Sequence, residues 1–188
     1  TESQLCTDLG MSRSSVREAV RTLVALDIVE VRHGHGMFVG QISMRPMVES
    51  LVFRGLLKPG DDYQALREVV EVRATLDDSL AEQVIRVWKG RRDPAIDAVV
   101  GEMERLAAAG KTFTEQDHRF HSMLLGALPN HLFGHLTDAF WAVHTLTVPL
   151  LDAPHPEDIM RTASAHRAML EAARAGDRDA YRAAVKEH

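Results

Sequence analysis

Apolar residues change their spacing near position 40, and this change restricts the chain to a small mixed segment followed by helices. Before it, apolar residues recur at three- and four-residue intervals and then alternate over positions 28–32 and 37–39. The glycines of Gly34-His35-Gly36 permit a tight reversal between the two alternating segments. Residues 1–40 are therefore predicted to form a short helix, a turn, a second helix capped by Ser12 or Ser14, and a hairpin. The stripe of the second helix comprises Val16, Ala19, Val20, Leu23 and Leu26.

After residue 40 only helical spacing is found. A linker helix is predicted over 41–57, ended by the segment Lys58-Pro59-Gly60-Asp61-Asp62. Amphipathic helices on short connections bury their stripes against one another, so the rest predicts a bundle of about six or seven helices. Their windows are 64–89, 94–110, 112–128, 131–151, 156–175 and 178–188, the last two preceded by a stretch around Pro154 and Pro156 and by Gly176-Asp177. The fold class is mainly α, with a winged helix-turn-helix over 1–40, a linker over 41–60 and a helical domain over 61–188.

Composition excludes some classes of protein. The 188 residues contain no apolar run near the ~18 residues that span a bilayer, and the sequence begins without a secretory signal, so no membrane partner is expected. Cys6 is the only cysteine, which favours a reducing compartment, and the cytoplasm is predicted. The chain has 22 Lys and Arg and 27 Asp and Glu, so its net charge is negative and any contact with DNA depends on local placement of basic residues.

Cationic side chains cluster in the first 40 residues. Arg13, Arg17 and Arg21 share one face of the second helix, from which they can reach phosphates and guanine edges in a major groove. The alternative is a solvated basic face with local pairing to an acid such as Glu18. The hairpin carries Arg32, His33 and His35 near a glycine-rich tip, a shape suited to an adjacent minor groove.

This segment resembles the winged helix of the GntR family of bacterial transcription regulators. The similarity is carried by Ser12-Arg13-Ser14-Ser15-Val16-Arg17-Glu18-Ala19-Val20, by Leu23, and by 28–39 with its glycine-rich wing. The resemblance implies operator contacts from Arg13 and Arg17 and, as in fatty-acid-responsive members, from His33. The predicted DNA-binding set is Arg13, Ser14, Arg17, Arg21, Arg32, His33 and His35. Ser3 stands where the family has a further arginine, and the family's first helix has no counterpart, which implies a truncated form of a longer protein.

Four ionisable residues lie on helical faces that should be buried. Asp117 and His121 fall on the stripe of the 112–128 helix, within an arc of about 100°. His166 lies centrally on the next-to-last stripe, and His188 shares a face with Tyr181 and Val185. Burying such groups without partners costs several kcal/mol. One carboxylate and three imidazoles suit Zn, Ni, Cu or Mn, whereas hydrogen-bonded core histidines are the alternative, since spacing alone does not show that the helices meet.

The same residues are similar to those of the FCD domain, the C-terminal ligand domain of the FadR subfamily. The pattern is Asp117-x-x-Phe120-His121, then His166, then His188 after Gly176-Asp177. The resemblance implies a metal-dependent branch whose ligands are Asp117, His121, His166 and His188. Zinc is the expected ion, with nickel or manganese as alternatives, and the resemblance implies that a small organic acid completes the coordination shell.

Arg73 falls on an apolar stripe, so its guanidinium is predicted to point inward, where it needs a carboxylate partner. Two partners are considered for Arg73: the carboxylate of Asp77, one turn on, and the carboxylate of an effector. Trp141 and His144 lie at or beyond the edge of the apolar stripe of the 131–151 helix. The two alternatives for them are that they line the cavity or that they are packing or interface residues. No role is predicted for the other histidines of the helical domain, His118, His131, His135 and His155.

These features predict a DNA-binding transcription regulator and not an enzyme. One recognition helix covers too few base pairs for useful specificity, so a homodimer on a palindromic operator is expected. Its operator affinity would be controlled by the organic acid bound at the metal and Arg73. The alternatives are a regulator for which the ion itself is the signal and a helical metallohydrolase in which the ion activates water.

Overall fold

The computed structural model describes residues 1–57, 63–151 and 158–188, apart from the side chains of residues 65 and 149–151. The chain forms two compact units, Thr1–Leu51 and Val52–His188. Within the described ranges, no helix has the length and apolar character needed to cross a membrane.

The first unit is a helix-turn-helix with a two-stranded wing, as predicted. Its helices are α1 (Glu2–Leu9) and α2 (Arg13–Ala25), and the wing pairs β1 (Val29–Arg32) with β2 (Gly36–Val39) in antiparallel register. Ser12 caps α2, since its hydroxyl accepts the backbone N–H of Ser15 at 3.2 Å. Gly10 ends α1 in the left-handed conformation that glycine adopts without strain, at φ 64°.

A junction at Asp27 fixes the end of the wing. The Asp27 carboxylate accepts hydrogen bonds from the backbone N–H and hydroxyl of Ser43, at 3.1 and 2.5 Å. Its backbone carbonyl accepts the N–H of Ile42 at 2.9 Å. These bonds hold residues 42 and 43 outside a helix. Helix α3 (Arg45–Leu56) consequently begins later than the predicted start at residue 41.

The second unit is the predicted helical bundle. It contains α4 (Gln64–Ser79), α5 (Ala81–Trp88), α6 (Pro94–Ala108), α7 (Thr114–Gly126), α8 (Leu132–Leu151), α9 (Ile159–Ala175) and α10 (Arg178–Glu187). The single helix predicted over 64–89 is wrong, because the chain bends at Leu80 and forms two helices. The predicted break at 58–62, the stretch around Pro154 and Pro156, and His155 lie outside the described residues.

The core of this unit lies between α5, α6, α7, α9 and α10. Helix α9 packs against α5, α6 and α10, and α7 packs against α6 and α8. Trp88 is buried here, and its indole N–H donates to the carbonyl of Leu124 at 3.0 Å. This packing turns the inward faces of α7, α9 and α10 toward a common space.

Candidate metal centre and DNA-binding surface

The four predicted metal ligands lie together in the helical unit. Asp117 and His121 come from α7, His166 from α9, and His188 follows the last turn of α10. Each offers one ligand atom, and these atoms lie within 4.8 Å of one another. A single carboxylate oxygen, Oδ1 of Asp117, lies 3.2 Å from Nε2 of His121, 3.1 Å from Nε2 of His166 and 3.8 Å from Nε2 of His188.

The hydrogen bond on the far side of His166 fixes its tautomer. Nδ1 of His166 lies 2.8 Å from the carbonyl oxygen of Thr162, which can only accept, so Nδ1 carries the proton. In the neutral ring, Nε2 then presents a lone pair to Oδ1 of Asp117 at 3.1 Å. These two atoms therefore need either a proton or a metal cation between them, and an ion bound by both would meet that need.

Protonation of the cluster also suits a metal. Burial would raise the pKa of Asp117, but the imidazoles of His121, His166 and His188 hold it well below its ordinary value. Burial lowers the pKa of His121 strongly and lowers that of His188. An ionised carboxylate and neutral imidazoles are the forms in which these groups bind metals.

Two further observations test whether the residues fit an ion. Nε2 of His121 and Nε2 of His188 are buried and have no hydrogen-bond partner in the described part of the chain. Donor atoms that each bind one ion at ~2.1 Å and subtend 90–109° are ~3.0–3.4 Å apart. The distances from Asp117 to His121 and His166 lie in this range, and that to His188 is wider. The set therefore fits a divalent transition metal.

Arg73 lies beside this cluster, with its side chain turned inward as predicted and 16% exposed. Its Nε is 3.9 Å from Asp77 and its Nη2 is 3.9 Å from Asp117, both beyond hydrogen-bonding distance. The guanidinium carbon lies 5.2 Å from the ring centre of Trp141, a cation–π contact. Nη2 is buried and has no hydrogen-bond partner among the described residues. Asp77 is therefore an ion-pair neighbour that leaves a donor of Arg73 unsatisfied.

A cavity of about 620 Å³ opens next to Arg73. Its walls come from α4 and from the C-terminal end of α10, and they include Arg73, Thr75, Asp77, Asp78, Lys186 and His188. This volume lies within the range of small-molecule sites, and its polar groups are of both charges. Arg73 and His188 both line the cavity, so a ligand bound there can reach both side chains, although the third carboxylate of the lining, that of Glu71, also faces it.

Helix α8 carries two further buried polar groups, and one of them, Thr147, was not singled out from the sequence. Nδ1 of His144 and the hydroxyl of Thr147 are buried without a partner in the described ranges. Burial lowers the pKa of His144, and the neighbouring Arg73 lowers it further. Trp141 is buried and stacks on His118, whose Nε2 donates to Asp138 at 2.9 Å. A threonine beside an apolar stripe gives no sequence signal, so Thr147 could not have been found.

The predicted DNA-contacting arginines of α2 are all exposed, but their partners differ. Nε of Arg17 donates to both carboxylate oxygens of Glu2, each at 3.0 Å. Arg21 lies 3.6 Å from Glu18, the local pairing considered above. Arg13 has no acidic partner in the described part of the chain. The hydroxyl of Ser14 lies 2.9 Å from that of Ser12, at the start of the helix.

On the wing, Arg32 is held against its own hairpin. Its Nε and Nη2 donate to the two carboxylate oxygens of Glu30 at 3.0 Å, and its guanidinium lies 4.6 Å from the ring centre of Phe38. His35 donates from Nδ1 to the carbonyl of His33 at 3.0 Å. Both histidines are exposed at the wing tip.

Comparison with known families gives two matches in chain order. Residues 1–39 match the family model described as bacterial regulatory proteins, gntR family, and residues 68–188 match that of the FCD domain. The chain belongs to the GntR family of regulators and carries an FCD domain. This confirms the resemblance inferred from the sequence. Because the family consists of transcription regulators, the expectation that the chain is not an enzyme is also confirmed.

Individual relatives agree with this assignment. The chain is 41% identical, over 93 residues, to the putative transcriptional regulatory protein NedR of Micromonospora viridifaciens, covering 50% of this chain and 67% of that protein. It is 24% identical to the galactonate operon transcriptional repressor of Escherichia coli, over 95% of this chain and 78% of that protein. Among solved structures, the Streptococcus agalactiae GntR protein matches with a TM-score of 0.63 and 26% identity, over 98% of this chain and 83% of that one.

Proposed function

We propose that this GntR regulator binds operator DNA as a homodimer and that a small organic acid, held at a metal ion and Arg73, controls its affinity for DNA. The observation that carries the proposal is the unsatisfied Nη2 of Arg73 beside three imidazoles and a carboxylate whose ligand atoms lie within 4.8 Å of one another. A buried guanidinium with a free donor needs an anion, and the adjoining cavity admits one. We place the regulator in the cytoplasm, where operator DNA is accessible.

The ion, for which zinc is the preferred choice, would be held by Asp117, His121, His166 and His188. The ion supplies positive charge and open coordination positions for an anionic oxygen. Arg73 would donate to the same carboxylate, and the ring of Trp141 keeps the guanidinium in place. The carboxylates of Asp77 and Asp78 can accept hydrogen bonds from hydroxyl groups of the acid, and the hydroxyl of Thr75 can donate or accept them. One relative represses a galactonate operon, so hydroxylated acids such as galactonate belong in the first panel of ligands.

The side chains that would enter the major groove are those of Arg13, Ser14, Arg17 and Arg21. The wing would reach the minor groove with Arg32, His33 and His35. Binding of the acid would shift the equilibrium between arrangements of the two recognition helices through the linker over 41–57. The shift cannot exceed the difference in the acid's affinity for those arrangements.

The test measures operator affinity at fixed zinc with and without each acid, using DNA selected by the full chain from a random duplex pool. At least one acid should change the affinity by about five-fold or more, the lower end of ordinary allosteric coupling. Arg73→Ala should abolish the response and leave affinity without the acid unchanged. Arg86→Ala, which removes an exposed arginine from α5, is the matched control. If no acid in the panel changes the affinity, the sensing function is wrong.

Tryptophan fluorescence gives an independent measure of acid binding. Trp141 contacts Arg73, whereas Trp88 is enclosed in the core. Binding at Arg73 should therefore change the emission of the native protein and not that of Trp141→Phe. A response that survives in Trp141→Phe would place the acid elsewhere.

A second function, regulation by the ion itself, is favoured by the convergence of four protein ligands before any acid is bound. Zinc titrated into chelated protein distinguishes the two functions. A change in DNA affinity on adding zinc alone supports the metal-responsive regulator, and a change that requires the acid supports the acid sensor.

A further inference from the structure

Arg17 is held by an acid from the neighbouring helix. Glu2 is the first residue of α1, and both of its carboxylate oxygens accept from Nε of Arg17 at 3.0 Å. The Arg17 side chain is still 61% exposed, and that of Glu2 is 34% exposed. The arginine is thus fixed at its base while its tip faces solvent.

The choice of nitrogen matters for reading DNA. Because Glu2 engages Nε, the two terminal amines of Arg17 have no protein partner in the described part of the chain. A pair of parallel N–H donors matches the O6 and N7 acceptors of guanine in the major groove. An arginine also loses rotamer freedom when it binds, and a partner that already restricts the side chain reduces that loss.

The other predicted DNA-contacting arginines lack this arrangement. Arg32 donates from Nη2 as well as Nε to Glu30, so one of its terminal amines is occupied. Arg21 and Glu18 are 3.6 Å apart, too far for a hydrogen bond. Among the four arginines, Arg17 alone is held by hydrogen bonds with both terminal amines free.

We propose that Glu2 is a positioning residue that orients Arg17 to read a guanine, and so sets base specificity at one position of each half-site. The inference rests on the proposed binding of operator DNA. A carboxylate that served only to neutralise charge would weaken binding to all sequences and would not affect the choice of base.

The test selects binding sites from a random duplex pool with the full chain and compares four proteins. Arg17→Ala should lose the preference for guanine at one position, which identifies the base that Arg17 reads. Glu2→Gln should reduce the preference for guanine at the same position by about ten-fold, which is within the range for one bidentate contact. The preferences at other positions should be kept. Asp8→Asn removes an equal charge from α1 at an exposed residue and should leave the profile unchanged.

A double variant shows whether Glu2 acts through Arg17. In the Arg17→Ala background, Glu2→Gln should have no further effect on the profile. Thermal melts of each variant show whether lost binding is due to unfolding. The Arg17→Ala variant and the double variant both lack the Glu2–Arg17 ion pair, so a difference between their profiles cannot come from the loss of that pair.

Three outcomes would overturn the inference. Glu2→Gln could retain the guanine preference, or bind every sequence more tightly with an unchanged profile, in which case Glu2 only repels DNA. It could also relax the same position further in the Arg17→Ala background. Failure of the proposed function looks different, because the native chain would then enrich no motif and no variant could change one.

Discussion

Asp77 is the residue whose ionisation should be most visible in the stability of the protein. Burial raises its pKa to about 6, an effect that the nearby Arg73 only partly offsets. In an unfolded chain the same carboxyl titrates near ~3.9. The folded state therefore binds the proton more tightly, and the stabilisation from protonation is present below the unfolded pKa and is lost as pH rises through about 6.

Asp77→Asn should remove this dependence on pH. Between about pH 4.5 and pH 7.5, the free energy of unfolding of the native chain should fall by about 2 kcal/mol relative to that of the variant. Urea denaturation of both proteins at each pH, with a chelator present throughout, measures the difference. Asp78→Asn, which changes a neighbouring carboxylate 42% exposed and paired with Arg182, should keep the native dependence. Parallel pH profiles for Asp77→Asn and the native chain would contradict the assignment.

Gly40 is required by a close approach of two backbone segments. A Cβ at this position would lie 2.4 Å from the carbonyl oxygen of Asp27, an atom fixed by its bond to the N–H of Ile42. Gly40→Ala should therefore destabilise the first unit by about 1–3 kcal/mol, the usual cost of forcing an extra carbon into a packed site. Hydrogen exchange over residues 1–51 measures the loss, and native protection of the variant there would refute the prediction.

Periodicity located the inward-facing residues well and their partners poorly. The positions of Asp117, His121 and His166 follow from 100° per residue, because a helix fixes which side chains share a face. The same arithmetic turned Arg73 inward. It could not show that Glu2 meets Arg17 or that Thr162 fixes the tautomer of His166, because the first contact joins two helices and the second depends on a ring orientation.

At the scale of elements, the bend between α4 and α5 shows what sequence patterns omit. Leu80 is buried at the bend, and the hydroxyl of Ser79 donates to the carbonyl of Leu76 at 2.8 Å. Neither glycine nor proline marks the position, and the apolar stripe continues through it. Packing of α5 against α9 and α10 favours the bend, and such tertiary contacts are invisible to a local pattern.

Helix α6 contains a glycine that its fold does not require. A Cβ at Gly101 would have nothing within 4 Å, and the residue lies in the middle of Pro94–Ala108. Gly101→Ala should raise the free energy of unfolding by about 0.5–1 kcal/mol, because alanine loses less backbone entropy in a helix. Urea denaturation checks this value. An unchanged or lower stability would show that the glycine has a role in α6 that the structure does not reveal.

At the scale of the whole molecule, the candidate metal centre belongs to one of the two compact units. All four proposed ligands lie within Val52–His188, and they join α7, α9 and the end of α10. An ion that binds only the folded form stabilises the unit that holds it, by about 2.7 kcal/mol when its free concentration is 100 times the dissociation constant. The first unit gains nothing directly from the same ion.

Removal of metal should therefore lower the melting temperature of the unit Val52–His188 and increase hydrogen exchange in α7, α9 and α10. Hydrogen exchange over residues 1–51 should change little. His166→Ala should abolish both the bound zinc, measured by elemental analysis, and the effect of the chelator, because a ligand is lost. His135→Ala removes an exposed histidine from α8 and should retain both. Equal zinc content in His166→Ala and His135→Ala would exclude His166 as a ligand. A chelator effect spread evenly over both units would mean that the ion acts on the whole chain rather than through the cluster on α7, α9 and α10.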